Sequence, residues 1–337
     1  MLTNDKSKSL FENSGRGRYN AMNYRRCGKS GVLLPEISLG LWHNFGKIDD
    51  LGNATRILKT AFDSGIVHFD LANNYGPPYG SAEETFGKIL KEYFKPFRDE
   101  LFISTKAGYD MWPGPYGNWG SRKHLISSLD QSLKRMNLDY VDVFYHHRSD
   151  PETPLEETML ALRDIVRQGK ALYVAISNYE AEASEKAFKL LRELKVPVIL
   201  HQNRYSLLDR SVENGLLDTL EKNGVGFIAF SPLAQGLLTN KYIGALPKES
   251  RAAKKYTYLN KEAIKKNRFK IQLLKKIAEE RNEKLSEMAI SWLLHKPQVT
   301  SVLIGVSSTE QLRENIKAIG GKPFSKEQLQ QINSICK

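Results

Sequence analysis

The tightest constraint in the sequence is an alternation. Short β-like apolar runs take turns with amphipathic helical runs along most of the chain. The β-like runs are Ile37–Gly40, Ile66–Asp70, Leu101–Lys106, Tyr140–His146, Ala171–Ser177, Pro197–Gln202, Gly226–Ser231 and Val299–Gly305. Between them, apolar residues recur at three- and four-residue spacing over Asn53–Ser64, Ser81–Tyr93, Leu125–Met136, Leu155–Arg167, Ala181–Leu194, Val212–Asn223 and Ser286–Leu294. Asn53, Ser81 and Ser286 are the expected N-caps. Such alternation pairs strands in parallel and gives an α/β class. Eight units predict a closed (β/α)8 TIM barrel, with a doubly wound open sheet as the alternative.

Nothing in the 337 residues reads as a Pro/Gly/Ser linker, so residues 21–337 are expected to form one barrel domain. Residues 1–20 are polar and aperiodic and are expected to be a flexible tail. Tyr24–Arg26 and Val32–Leu34 flank Gly28–Gly31, which reads as a hairpin capping the barrel bottom. Two long loops break the spacing, one after the third strand (Ala107–Arg122) and one after the seventh (Pro232–Lys261). Long loops in a compact fold usually carry function.

Composition narrows the function classes. The chain is 41% hydrophobic and 26% charged, which excludes general disorder. No apolar stretch is long enough for a membrane span, and the N-terminal residues lack the apolar core of a signal peptide. Cys27 and Cys336 stand far apart without metal-ligand spacing, which fits a reducing, cytoplasmic compartment and no metal. The net charge of +12 raises a nucleic-acid reading. However, Lys241–Lys284 alone holds fourteen Lys/Arg against five Asp/Glu. There the cations interleave with Ile264, Ile271, Leu273 and Leu274, the pattern of an amphipathic helix with a solvated lysine face. No nucleic-acid motif accompanies it.

Nucleotide motifs fail on context. Gly224, Gly226 and Ala229 follow a helix and enter a strand, the reverse of a dinucleotide fingerprint. Gly28-Lys29-Ser30 lacks the upstream glycine of a phosphate loop.

Chemistry gathers instead at the strand ends. In a (β/α)8 barrel the loops that follow the strands build the site. Asp70 ends the second strand, Lys106 ends the third, His146 and His147 end the fourth, and Tyr75 follows Asp70 on its loop. Taken singly, each has a plain structural explanation. Together they fit one reaction. Asp70 would orient Lys106, the lysine would lower the Tyr75 pKa toward working pH, and a histidine would hold a carbonyl oxygen. Periodicity does not choose between His146 and His147.

This block resembles the aldo-keto reductase family, and the resemblance covers nearly the whole chain from Tyr24. It is carried by His68-Phe69-Asp70-Leu71-Ala72-Asn73-Asn74-Tyr75-Gly76 and Ala82-Glu83-Glu84. Ser104-Thr105-Lys106-Ala107-Gly108-Tyr109 and Leu39-Gly40-Leu41-Trp42-His43-Asn44-Phe45-Gly46 are most similar to the bacterial L-glyceraldehyde 3-phosphate reductases. The potassium-channel β-subunits resemble the chain more distantly. The resemblance implies a catalytic tetrad of Asp70, Tyr75, Lys106 and His147, and NADPH-dependent reduction of small aldehydes or ketones. The channel-type alternative is a cofactor-binding interaction subunit. That branch resembles Asn where this chain has His147, which favours an enzyme.

The resemblance also implies a cofactor path. Gly40, Leu41, Trp42 and Asp70 would line it. Ser177, Asn178 and Gln202 would take the carboxamide, and Phe230 would stack on the nicotinamide. Ser231, Pro232, Leu233, Gln235 and Gly236 would wrap the pyrophosphate. Gly305, Ser307, Gln311, Glu314 and Asn315 would hold the adenosine end. Val306 and Gln311 stand where many relatives carry the cations for a 2′-phosphate, and Lys241 and Arg251 match the cations that the channel-like branch uses. Trp42, Tyr75, Trp112 and His147 would line the substrate pocket, with Trp119 on the same loop. Arg148, Arg122 and Lys123 are candidate cations for a phosphorylated aldehyde, and Arg148 has Asp150 as an alternative ion-pair partner. The short segment after Ile319 implies an open site. The resemblance also implies a homo-oligomer, tetramer or larger in its relatives, with no nucleic-acid or membrane partner.

Overall fold

A computed structural model describes residues 16–239 and 261–336. An antiparallel hairpin, β1 (Tyr24–Arg26) and β2 (Leu33–Pro35), precedes eight parallel barrel strands. These are β3 (Ile37–Gly40), β4 (His68–Asp70), β5 (Phe102–Ala107), β6 (Val141–His146), β7 (Ala171–Ser177), β8 (Val198–Arg204), β9 (Gly226–Phe230) and β10 (Val299–Ile304). They close in sequence order, with β10 pairing to both β3 and β9. The closed (β/α)8 barrel is therefore the fold, and the open sheet is not.

The helices ring the barrel. They are α1 (Leu51–Asp63), α2 (Ser81–Ile89), α3 (Arg122–Met136), α4 (Leu155–Arg167), α5 (Ala181–Glu193), α6 (Leu216–Asn223), α7 (Lys261–Glu280), α8 (Leu285–Leu294), α9 (Thr309–Ile316) and α10 (Lys326–Cys336). Each turns an apolar stripe inward, as Ile57, Leu58, Ala61 and Phe62 of α1 show. On α7 the apolar stripe is Ile271, Leu274, Ile277 and Ala278, while Lys265, Lys266 and Lys276 are exposed. The basic stretch is thus partly the wet face of a packed helix. Among the described residues no helix is long and apolar enough to cross a membrane.

Strand parity sorts the side chains into two cores. Phe69, Ile103, Phe144 and Val174 join the layer between barrel and helices. Val143, Tyr145, Ala175, Leu200, Ile228 and Leu303 form a second cluster with Cys27 and Leu34 of the hairpin. The hairpin therefore inserts side chains into the bottom of the barrel as well as covering it. Its turn is held against the barrel by Lys29 N donating to Gly224 O at 2.8 Å.

Several local expectations are corrected. The N-caps are Asp50, Gly80 and Lys284, not Asn53, Ser81 and Ser286, because each helix begins earlier. Asp50 Oδ1 accepts from Asn53 N at 2.8 Å, so Asn53 is the capped residue. The helix expected through Tyr93 ends at Ile89 and widens into a π turn over Leu90–Phe94. The helix expected from Val212 starts at Leu216, after a 3-10 turn and Gly215 at φ 90°. Arg16–Tyr19, inside the segment read as a tail, form a 3-10 turn. There Arg18 is only 2% exposed, with its guanidinium 3.9 Å from the centre of the Phe62 ring. The segment after Ile319 carries α10, whose Ile332 is fully buried.

Candidate active site

The loop ends of β4, β5 and β6 bring together the residues singled out above. Inward parity places Asp70 on β4 and Lys106 on β5 side by side, and both are fully buried. Lys106 Nζ pairs with Asp70 Oδ2 and donates to Leu71 O at 2.7 Å. It also lies 3.4 Å from Tyr75 Oη. The other Asp70 oxygen accepts from Ser104 Oγ at 2.5 Å and Gln202 Nε2 at 3.3 Å. A buried charge pair is tolerable only when such further hydrogen bonds satisfy it.

Parity also separates the two histidines. His146 closes β6 facing outward, where its Nδ1 lies 2.6 Å from Tyr179 Oη. His147 lies at the mouth, its ring 5.9 Å from Tyr75 and 4.7 Å from Tyr109. Its main-chain N–H donates to Ala107 O at 2.9 Å. Its Nδ1 is buried and has no hydrogen-bond partner among the described residues. Burial, reinforced by the Lys106 charge, holds its pKa well below the usual histidine value. The ring is therefore neutral at ordinary pH.

The electrostatics of Tyr75 run opposite to the expectation. Tyr75 is not brought down toward neutral pH. Burial and then the Asp70 charge push its phenol well above the usual value. These two effects, with the neighbouring Tyr109, outweigh whatever the Lys106 charge does for the phenolate. Burial also pulls Lys106 below the usual ammonium range, against the opposing pull of Asp70. Tyr75 thus keeps its proton through the neutral range.

Around this centre, Trp42 is 40% exposed, and its ring lies 6.2 Å from Tyr75. Gly40 closes β3, and Leu41 N donates to Asp70 O at 2.9 Å. Ser177 and Gln202 are register partners at the ends of β7 and β8. Asn178 Nδ2 donates to His147 O at 3.0 Å and Ser177 Oγ at 3.1 Å. Phe230 ends β9, paired with Arg204 on one side and Leu303 on the other. After it, Ser231, Ala234, Gln235 and Gly236 all have left-handed backbone, at φ 55°, 46°, 58° and 98°. Pro232 is buried there, and Leu233 O accepts from Gly236 N at 2.8 Å. Non-glycine residues in this region are strained, and such strain clusters at functional sites.

The far end of the proposed path is tied to its surroundings. Gly305 and Ser307 are exposed, and Ser307 O accepts from Asn53 Nδ2 at 2.9 Å. Gln311 Oε1 accepts from Ser307 N at 3.0 Å, Asn315 is buried, and Glu314 accepts from Lys284 at 2.6 Å and Ser286 at 3.0 Å. Both Glu314 oxygens are thus engaged by α8 and the residue before it. Lys241 and Arg251 lie outside the described residues.

The loop after β5 departs from expectation. Trp112 packs on His124 of α3, with ring centres 5.0 Å apart. Trp119 instead stacks on Arg148, whose guanidinium lies 3.7 Å from the Trp119 ring and 4.2 Å from Tyr109. Arg148 donates to Gly108 O at 2.9 Å and Asn118 Oδ1 at 2.8 Å. It makes no ion pair with Asp150, whose carboxylate accepts from the main chain of Gly120, Glu152 and Thr153. Arg122 is engaged by Asp164 at 2.6 Å. Sequence reasoning missed Tyr109, which contacts both His147 and Arg148. Its place two residues after the β5 strand end was the available signal.

The residues at the mouth fit a nicotinamide cofactor in their chemistry. Ser177, Asn178 and Gln202 supply amide and hydroxyl groups beside an aromatic, Phe230, and a built Cβ at Gly305 would meet nothing within 4 Å.

Comparison with known proteins follows the same lines. The profile of the aldo/keto reductase family matches residues 36–337. The L-glyceraldehyde 3-phosphate reductase of Escherichia coli K12 is 56% identical over 321 residues, 94% of this chain and 93% of that protein. A probable voltage-gated potassium channel subunit beta of Arabidopsis thaliana is 37% identical over 310 residues, 90% and 93% of the two chains.

The buried neutral histidines generate a stability prediction. Burial lowers His68 to about 4 and His146 and His201 to about 3. Unfolding restores the ordinary value of 6.5. The unfolded chain therefore binds more protons below pH 6.5, and stability falls as pH drops from there toward 4. The His68 contribution alone reaches roughly 3 kcal/mol near pH 4. Denaturant midpoints measured between pH 7.5 and 4.5 should fall steadily below 6.5. A flat profile would contradict the burial of these rings as neutral groups.

Proposed function

The chain belongs to the aldo/keto reductase family and is an oxidoreductase, and from that premise we propose that it reduces small aldehydes and ketones to alcohols with NADPH, Tyr75 acting as the general acid. Glyceraldehyde 3-phosphate, methylglyoxal and hydroxy-aldehydes are the substrate class. The observation that carries the reading is Lys106 Nζ held by Asp70 and lying 3.4 Å from the hydroxyl of a half-buried Tyr75.

When bound, NAD(P)H supplies a hydride to the carbonyl carbon. The chain's own residues then handle the oxygen. Tyr75 holds the proton that the new alkoxide needs, and burial keeps that proton in place until the charge develops. Lys106 places positive charge beside the phenol, so the developing tyrosinate is stabilised where it forms. Asp70 fixes the lysine. Neutral His147 offers its ring to the carbonyl oxygen without adding a second cation. Trp42, with Tyr109, supplies aromatic walls at the mouth.

For the cofactor, Ser177, Asn178 and Gln202 would hold the carboxamide, and Phe230 would stack on the ring. Gly40 and Leu41 would border the same path. The strained turn from Ser231 through Pro232, Leu233 and Gln235 to Gly236 suits close approach of a pyrophosphate to backbone. Gly305, Ser307, Gln311 and Asn315 would border the adenosine, with Glu314 acting through α8 contacts. Lys241 and Arg251 are the residues we assign to the 2′-phosphate, a bidentate Arg and a point-charge Lys being suited to that group. Their loop is the basis for preferring NADPH. We further infer a barrel domain working as a homo-oligomer in the cytoplasm.

Arg148 supports an anionic substrate. It is a half-buried cation beside His147, held by two aromatic faces and two neutral acceptors, and among the described residues it pairs with no carboxylate. The K12 relative is named for a phosphorylated aldehyde. Trp112, bound to α3, would act on the pocket only through the loop it anchors.

A panel of aldehydes run with NADPH and NADH tests the main reading. NADPH oxidation should appear with glyceraldehyde 3-phosphate or methylglyoxal, and Tyr75→Phe should lower kcat by at least about a hundredfold. Retained activity in that variant would remove Tyr75 as the acid. Replacing Arg148 with Gln should lower kcat/KM for glyceraldehyde 3-phosphate relative to glyceraldehyde by about tenfold or more. An equal loss on both substrates would assign Arg148 to loop structure instead.

A further inference from the structure

Beneath Asp70 the barrel encloses a string of polar side chains that the chemistry above does not use. Ser301 Oγ of β10 lies 2.6 Å from Ser38 Oγ of β3. Ser38 Oγ lies 2.8 Å from His68 Nδ1, and His68 Nε2 lies 3.0 Å from Ser104 Oγ of β5. Ser104 then reaches Asp70 Oδ1. All five residues are fully buried. Four neighbouring strands, β10, β3, β4 and β5, thus contribute to one continuous line of hydrogen bonds.

The last link fixes the direction of every other. A carboxylate paired with a lysine only accepts, so Ser104 gives its single hydroxyl hydrogen to Asp70. Toward His68, Ser104 can then only accept, and Nε2 must carry a hydrogen. A neutral imidazole has one ring hydrogen, so Nδ1 accepts and Ser38 donates to it. Ser38 has no second hydrogen, so Ser301 donates to Ser38. Reversing His68 to the Nδ1–H tautomer would demand the Ser104 hydrogen at Nε2 and take it away from Asp70.

We propose that Ser301, Ser38, His68 and Ser104 form a one-way hydrogen-bond chain that holds the Asp70 carboxylate in register with Lys106, with His68 fixed as its neutral Nε2–H tautomer. His68 is thereby a positioning residue for the reduction. It makes no hydrogen bond to Lys106 or Tyr75 and acts through Ser104. The inference rests on the reading of Asp70, Lys106 and Tyr75 as the proton-handling set, while the tautomer itself can be observed without turnover.

The surroundings of His68 favour the neutral ring. Burial pulls its pKa down, and Lys106 on β5 works in the same direction against Asp70 on β4. The neighbours on β3 and β10 are the uncharged hydroxyls of Ser38 and Ser301. Phe102 of β5 packs against the ring edge-on at 5.5 Å. Tyr145 on β6 and Tyr75 above are both phenols held well above their usual pKa by burial and Asp70. His147 at the mouth is neutral, and Glu83, behind β5, acts on Lys106.

Imidazole 15N NMR of the full chain tests the tautomer directly, with the His68 signals identified by their loss in His68→Gln. The expected result is a neutral ring protonated at Nε2 and unchanged from pH 8 to pH 5.5. An Nδ1–H tautomer, or a titration near the ordinary histidine value, would overturn the chain. Ser104→Ala and Ser104→Thr test its effect on the reaction. Ser104→Ala should lower kcat about tenfold, with KM for the aldehyde changed less than about twofold. Ser104→Thr, which keeps a hydroxyl, should recover most of the loss. An unchanged kcat in Ser104→Ala, or equal losses in both variants, would reduce the string to core packing. If the wild-type chain reduces no aldehyde, the functional reading fails while the NMR result still decides the tautomer.

Discussion

The structure depends on one buried ion pair. Lys106 and Asp70 lie inside the barrel with no exposed surface, where isolated charges are costly. Removing either partner would strand the other, and such losses are typically severe. The surrounding barrel answers that cost residue by residue. Leu71 O takes a second lysine hydrogen, and Ser104 and Gln202 fill the remaining carboxylate oxygen. The pair can exist because strand parity aims inward-facing side chains of β4, β5 and β8 at one point. The same parity sends Phe69, Ile103 and Phe144 outward into the helix layer.

That arrangement changes what the lysine is for. A free cation beside a phenol lowers the phenol pKa. Here partial burial and the Asp70 charge outweigh that pull. Tyr75 therefore rests as a protonated acid, and Lys106 acts when negative charge forms on the phenol oxygen. Neutral His147 fits the same scheme, since a second cation beside Lys106 would carry a large electrostatic cost. The buried string ending at Ser104 extends this organisation across the barrel to β10.

Much of this was legible from residue order. Short β-like apolar runs located the eight barrel strands to within a few residues, and their ends located Asp70, Lys106 and the histidine pair. The helix starts were less legible. Asp50 caps α1 three residues ahead of the expected Asn53, and polar residues cluster at both places. Gly80 and Lys284 precede their helices without a capping side chain of the usual type. The outward turn of His146 was not readable until the strand's inward positions were known. Arg148 posed a similar problem. Nearness to Asp150 in sequence suggested an ion pair, but the Asp150 carboxylate is occupied by main-chain N–H groups. Trp119 and Tyr109 hold the guanidinium, through contacts that depend on how the long loop folds. The partial burial of Tyr75 was likewise invisible, because it depends on neighbours from several strands.

The central claim is that burial keeps Tyr75 protonated beside a lysine whose charge is committed to Asp70. Its most direct measurement is the Tyr75 ring-carbon NMR titration in the chain labelled at tyrosine Cζ, with Tyr75→Phe identifying the signal. The account predicts a phenol that stays protonated from pH 6 to beyond pH 10, the ordinary tyrosine value. A Tyr75 phenolate appearing between pH 7 and 9 would contradict it and restore the simpler picture of a lysine-lowered acid.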